Sequence, residues 1–220
     1  MTVRVIAIDG PAGAGKSTVA RAVAAATGLP FLDTGAMYRC VALMVLRSGI
    51  DPGDEPAVAS VASGCRITLA EGTVTLDGED VTSAIRGADV NALVGRVATN
   101  SAVRTVMRGA QREWALEAGG GVVEGRDIGT VVFPDAELKV FLTASESERA
   151  RRRTEEAGGR LDDVARAIAE RDRIDSTRAD SPLRPAEGAV IVDSTGRTVD
   201  DVVAEIVGLF SSGGARDDRG

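Results

Sequence analysis

The 220-residue chain predicts an α/β fold built on a parallel sheet, and three observations carry that expectation. An apolar run, Val5 to Ile8, leads through Asp9 into Gly10-Pro-Ala-Gly-Ala-Gly-Lys16-Ser17, a glycine loop set between a buried strand and a helix. Short apolar strands then alternate with helix-length amphipathic segments along much of the chain. One stretch, residues 66–82, breaks this rhythm with period-2 pieces and tight turns, which marks a small antiparallel insert.

The loop dictates chemistry. Gly13 and Gly15 admit backbone conformations that let main-chain N–H groups close on an anion. Lys16 supplies a point charge at the outer phosphates, and the Ser17 hydroxyl suits Mg2+. The helix dipole that follows favours phosphate at its N-terminus. Gly10, Pro11, Ala12, Gly13, Ala14, Gly15, Lys16, Ser17 and Thr18 therefore read as the binding segment for a nucleoside triphosphate, ATP, with Mg2+ as its partner ion.

In chain order, the sequence predicts a strand over 3–9, a helix over 17–27 stopped by Gly28, and a short strand ending at Asp33. Thr34-Gly-Ala-Met-Tyr38-Arg39 opens a helix that stops at Gly49, and residues 51–56 read as a polar loop. Strands over 66–69, 73–76 and 80–82 follow, turned at Glu71-Gly72 and Asp77-Gly78. Residues 84–118 read as two helices divided near Asn100-Ser101, with Arg104, Arg108 and Arg112 on one stripe. Val122-Val-Glu124 is a core strand ending in an acid, and 137–143 is another. Polar helices over 145–157 and 161–173, a last core strand over 189–192 and a helix over 198–210 complete the fold, before a glycine- and charge-rich tail, 211–220.

Composition narrows the function classes. With no histidine, His-based acid–base, triad and most zinc chemistry are excluded. Phosphoryl transfer survives, because it relies on positioning and charge. A net charge of −7 speaks against a polymeric nucleic-acid partner. Cys40 and Cys65 lack metal-ligand spacing, so reduced thiols in the cytoplasm are expected. The chain shows no membrane-length apolar run and no leader ahead of the first strand, and a monomer is the expectation.

A phosphate loop alone does not separate a kinase from a GTPase. A second anion site made of dispersed arginines would, and four segments offer one: Asp33-Thr34-Gly-Ala-Met-Tyr38-Arg39, the Arg104 helix, Gly125-Arg126-Asp127, and Arg171-Asp-Arg-Ile-Asp175-Ser-Thr-Arg178. With the string Glu124-Gly-Arg-Asp-Ile-Gly-Thr-Val-Val-Phe-Pro-Asp135, these segments resemble the bacterial cytidylate (CMP) kinase family over residues 4 to about 207.

The resemblance implies a three-layer P-loop kinase core with a parallel sheet, a mobile lid and a nucleoside-monophosphate (NMP) binding region holding a small antiparallel β insert. Its boundaries would be a core of 1–35, 100–150 and 186–210, an NMP region of about 36–99 and a lid of about 151–165. The implied reaction is ATP-dependent phosphorylation of CMP and dCMP. Arg39, Arg126 and Arg178 would hold the monophosphate, Arg104 and Asp127 the cytosine, Arg171 and Asp175 the sugar, with Thr34 and Tyr38 lining the pocket. Lys16, Arg126, Arg178 and the lid arginines Arg151 and Arg153 would act on the transferring group, and Ser17 and Glu124 would hold Mg2+, mostly through water. The family pattern places a base-contacting serine where this chain has Gly95.

Other readings of these residues stay open at this level. Arg104 also fits a solvated helix stripe, Tyr38 simple packing, Glu124 a structural acid, Asp175 an i,i+4 pair with Arg171, and 149–153 a plain charged helix. Ser194-Thr-Gly-Arg197 is a weak candidate for the border of adenine. A shikimate or gluconate kinase lacks the antiparallel insert, and a GTPase would need a guanine-reading Asn-Lys-x-Asp segment that this chain does not have.

Overall fold

Val5, Ile6, Ala7 and Ile8 are at most 1% exposed, so the first strand is covered on both faces and must sit inside a sheet. The computed structural model, which describes residues 3–70 and 72–214, shows how. The strand β1 (Arg4–Asp9) is flanked by β6 (Gly120–Gly125) and β7 (Leu138–Thr143), both parallel to it, in a sheet of order β2-β6-β1-β7-β8. The edge strands are β2 (Phe31–Asp33) and β8 (Val190–Asp193). On β8 the burial alternates and Ile191 faces outward, as a strand covered on one face requires.

The chain divides into two compact units, residues 33–114 and the remainder. In the larger one, α1 (Lys16–Thr27) and α8 (Val199–Gly214) pack on the sheet through Val19, Val23, Val202 and Ile206, against Ile6, Ile8, Val140 and Leu142. Burial of each such side chain is worth about 1.5–3 kcal/mol. The register sets Ile8 beside Glu124, and Asp9 beside Gly125 and Phe141. The phosphate loop, Glu124 and the segment after Gly125 are therefore gathered at the carboxyl edge of the sheet, where ligands of open parallel sheets bind. Two helices, α6 (Glu146–Ala157) and α7 (Leu161–Thr177), follow β7 and pack on one another.

The smaller unit holds α2 (Thr34–Ser48), α3 (Glu55–Gly64), a three-stranded antiparallel sheet, α4 (Ala88–Thr99) and most of α5 (Ser101–Glu117). Its strands are β3 (Ile67–Ala70), β4 (Thr73–Leu76) and β5 (Glu79–Asp80). Leu76 pairs with Glu79 across Asp77-Gly78, both at positive φ (52° and 88°), as a two-residue hairpin turn demands. Of the turn expected at Glu71-Gly72, Glu71 lies outside the described residues; Ala70 pairs with Thr73 around it.

Three local expectations are corrected. The polar loop is shorter than 51–56, because α3 begins at Glu55: the Asp54 carboxylate accepts from the Ala57 N–H at 3.1 Å, and Pro56 sits in the first turn. The helix expected over 161–173 continues to Thr177, which places Asp175 inside it and Arg178 at its cap. Likewise α8 continues past residue 210 to Gly214, and the rest of the expected tail, 215–220, lies outside the described residues.

Candidate active site

The loop geometry starts with glycine. A Cβ on Gly10 would stand 2.0 Å from the Leu142 carbonyl oxygen, so no larger residue fits between β1 and β7. Gly13 and Gly15 take φ of 76° and 85°, which turns the loop into the N-terminus of α1. Ser17 is half-buried in the first turn of that helix, and Thr18 beside it is exposed. Lys16 is buried and donates from Nζ to the Pro11 carbonyl at 2.7 Å, folding over its own loop. Burial pushes its pKa down to about 7, Arg126 and Arg171 push the same way, and Glu124 and Asp9 oppose them. A buried cationic site of this kind favours an incoming polyanion.

Asp9 ends β1 with 3% exposure, and its two carboxylate oxygens accept from the Ile128 and Gly129 N–H groups, both at 2.8 Å. Burial raises its pKa to about 6, although the two backbone N–H groups pull it back down. These bonds pin the first residues of a five-residue π-helical turn, Ile128–Val132, and so fix where Arg126 and Asp127 leave β6.

Four charged side chains then meet. Arg126 Nε donates to Asp175 Oδ2 at 2.9 Å, Arg178 lies 3.6 Å from Asp175 and 3.8 Å from Asp127, and all four are largely buried. Burial works to raise the Asp175 pKa, but the charge and hydrogen bond of Arg126, with Arg171 and Arg178, carry it net below the ordinary carboxylate value. Asp175 is thus more than an i,i+4 partner of Arg171. Glu124, 4% exposed, stands one residue before the end of β6 among the groups that act on Lys16.

In the smaller unit, the Asp33 carboxylate caps α2 by accepting from the Ala36 N–H at 3.0 Å, with Thr34 buried at the helix start. Arg39 donates to the Ile85 carbonyl at 3.1 Å and to Asn91 Oδ1 at 2.6 Å. Arg104 is 1% exposed, donates to the Ala98 carbonyl at 3.2 Å and lies 5.7 Å from the centre of the Tyr38 ring. A guanidinium buried to that degree does not belong to a solvated stripe, and only Arg112 of the three stripe arginines is exposed.

Two expected residues are not brought to the loop. Arg151 pairs with Glu148 and Glu155, and Arg153 with Glu156, along the outer face of α6. The arginines that do reach it are Arg149, which donates to the Ala12 carbonyl at 3.0 Å, and Arg152, which lies 3.5 Å from the Ala14 carbonyl. Ser194 is also tied there, its hydroxyl 3.3 Å from the Ala14 carbonyl and its own carbonyl accepting from Arg152 at 2.8 Å. Asp9 is not among the candidates the sequence offers, and Arg149 and Arg152 enter only as members of the 149–153 cluster. One signal was present: Arg149 has arginines at i+3 and i+4 where Arg151 has Glu155 at i+4, so it lacks a following acid on its own helix.

Among the described residues no group of three acidic, cysteine or histidine side chains is placed to hold a metal ion, and no helix is long and apolar enough to cross a membrane.

A glycine-bent loop on a buried lysine, at the carboxyl edge of a parallel sheet and beside an arginine–aspartate cluster, defines a kinase of the phosphate-loop class. A solved gluconokinase from Sinorhizobium meliloti shares the fold with a TM-score of 0.51 and 18% identity, over 96% of this chain and 93% of that one. The cytidylate kinase family model matches residues 6–212, and the chain belongs to that family. Relatives named cytidylate kinase include those of Pelotomaculum thermopropionicum, 52% identical over 94% of this chain and 96% of its own, and Rhodococcus opacus, 49% identical over 94% of both. A bifunctional pantoate ligase/cytidylate kinase of Synechocystis is 50% identical over 94% of this chain and 42% of its own length.

Proposed function

We propose that the chain transfers the γ-phosphoryl group of ATP to CMP and dCMP, giving ADP with CDP or dCDP. The buried cluster of Arg126, Asp127, Asp175 and Arg178 supports this reading, because it joins two guanidinium groups to an acid whose chemistry suits a base amine, with Arg126 close enough to act on Lys16 of the phosphate loop. An oxygen of the acceptor's phosphate attacks the γ-phosphorus, and the β–γ bond breaks to release ADP. Lys16 and the loop N–H groups hold the donor phosphates, and Arg126 and Arg178 hold the acceptor phosphate and offset the charge that develops. Arg171 and Asp175 take the sugar.

Asp127 accepts from the exocyclic amine of cytosine, while Arg104 donates to its carbonyl O2 and ring N3. Uracil would turn lone pairs toward that carboxylate and bind more weakly. In the smaller unit, Arg39 serves the monophosphate, and Thr34 and Tyr38 line the pocket. The Ser17 hydroxyl and the Glu124 carboxylate are hard oxygen donors suited to Mg2+, which when bound neutralises phosphate charge. Action as a monomer in the cytoplasm, on free nucleotides rather than nucleic-acid polymers, belongs to the same proposal; the net charge of −7 supports the last point.

An acceptor panel tests it. With ATP and Mg2+, CMP and dCMP should be phosphorylated well, UMP weakly, and AMP and shikimate barely. Phosphorylation of shikimate without CMP would refute the reading.

A further inference from the structure

Asp172 has no part in the site described so far, yet it touches two of its pieces. It lies on α7, one residue after Arg171 and three before Asp175. Its Oδ1 accepts from the Ala12 N–H at 3.1 Å, and its Oδ2 pairs with the Arg149 guanidinium. The same guanidinium donates to the Ala12 carbonyl at 3.0 Å and, through Nε, to the Ala144 carbonyl at 3.2 Å. Both main-chain groups of one loop residue are thus held by one acid–arginine pair.

The clamp has little slack. Arg149 is 6% exposed and the Asp172 side chain 21%, so the pair is shielded from solvent. Next to the clamped residue, a Cβ on Gly13 would come within 3.0 Å of the Arg149 carbonyl oxygen, so α6 lies directly on the loop. The grip falls on Ala12, just before the left-handed turn at Gly13.

We propose that Asp172 is a positioning residue which, with Arg149, registers α7 and its acceptor-side groups Asp175 and Arg178 against the phosphate loop. This rests on the phosphoryl-transfer reading above. The attacking oxygen and the γ-phosphorus must meet in line, and an error near 1 Å in such an approach costs on the order of a hundredfold in rate. Without the clamp, loop and helix keep their own groups but lose their mutual register. A purely structural ion pair would lower stability without separating turnover from binding.

The test uses the whole protein with Asp172→Ala and Asp172→Asn. In Asp172→Ala, turnover on CMP should fall roughly thirtyfold or more, while calorimetric affinities for adenylyl imidodiphosphate alone and for CMP alone stay within about threefold. Hydrogen exchange at the Ala12 amide should accelerate. Asp172→Asn is nearly isosteric and keeps an oxygen for that amide, so it should recover part of both losses. Turnover within about twofold of the original, or a turnover loss matched by equal weakening of analogue binding, would overturn the proposal. If the unaltered protein fails to phosphorylate CMP, the functional reading falls. The exchange data then judge the clamp by themselves: faster exchange at Ala12 in Asp172→Ala sustains it, and unchanged exchange refutes it.

Discussion

Arg126 Nε and Asp175 Oδ2 lie 2.9 Å apart across 49 positions of sequence, joining the end of β6 to the last turns of α7. The contact holds two of the residues proposed for the acceptor nucleotide in one place. Its acid also faces Arg171 and Arg178, so removing it leaves a buried concentration of positive charge.

Replacing Asp175 should therefore destabilise as well as inactivate. Asp175→Ala is expected to cost about 2–4 kcal/mol in urea unfolding at pH 7. Because the folded-state pKa lies below the ordinary value, the stabilisation is present above the usual carboxylate range and is lost as pH falls through the folded pKa. The gap between original and variant should narrow in acid. A gap that widened below pH 4 would contradict the assignment.

Asp9 has the opposite sign. Its folded-state pKa, raised to about 6, exceeds the unfolded one, so between the two the folded state binds more protons. Stability from this group falls as pH rises through that window and levels off above it, a change of about 2–3 kcal/mol. Asp9→Asn should lose that slope, so unfolding curves of the two proteins taken between pH 4 and 7 should not run parallel. Parallel profiles would show that Asp9 is not desolvated in solution.

Lys16 offers a proton count. With its pKa pushed down to about 7, most of the amine is neutral at pH 8 in the ligand-free protein. Phosphate oxygens at van der Waals range restore the charge, so ATP binding at pH 8 should take up close to one proton. Calorimetry in buffers of different ionisation enthalpy reads this directly, and buffer-independent heats would contradict it.

Gly10 is fixed by space. Since its Cβ would stand 2.0 Å from the Leu142 carbonyl, Gly10→Ala must spread β1 and β7. A loss of about 2 kcal/mol or more in stability, with weakened ATP binding, is expected from thermal and calorimetric measurements. Gly95→Ala is the control: Gly95 lies inside α4 and nothing lies within 4 Å of its Cβ position, so stability should hold or rise by about 0.5–1 kcal/mol.

The phosphate loop and the Asp77-Gly78 hairpin were legible because each rests on backbone geometry that few residue types allow. The strands were legible from their apolar runs. The start of α3 was missed although Asp54 and Pro56 announce it, since its small residues give no clear apolar stripe. On α6 the charges occupy every face, so composition does not tell which arginines turn inward. The packing of Arg149 and Arg152 onto Ala12 and Ala14 settles that, and apart from the missing acid after Arg149 no pattern along the chain encodes it. Asp9 and Asp172 were hidden for a related reason, because their partners lie 119 and 160 positions away.

The central claim is that Asp127 reads cytosine from within a buried cluster. Measuring kcat/KM for CMP and UMP in the original protein and in Asp127→Ala addresses it most directly. The original should favour CMP by a factor on the order of a hundred, and the variant should lose most of that preference by losing CMP activity selectively. Equal losses on the two nucleotides, with the preference intact, would contradict it.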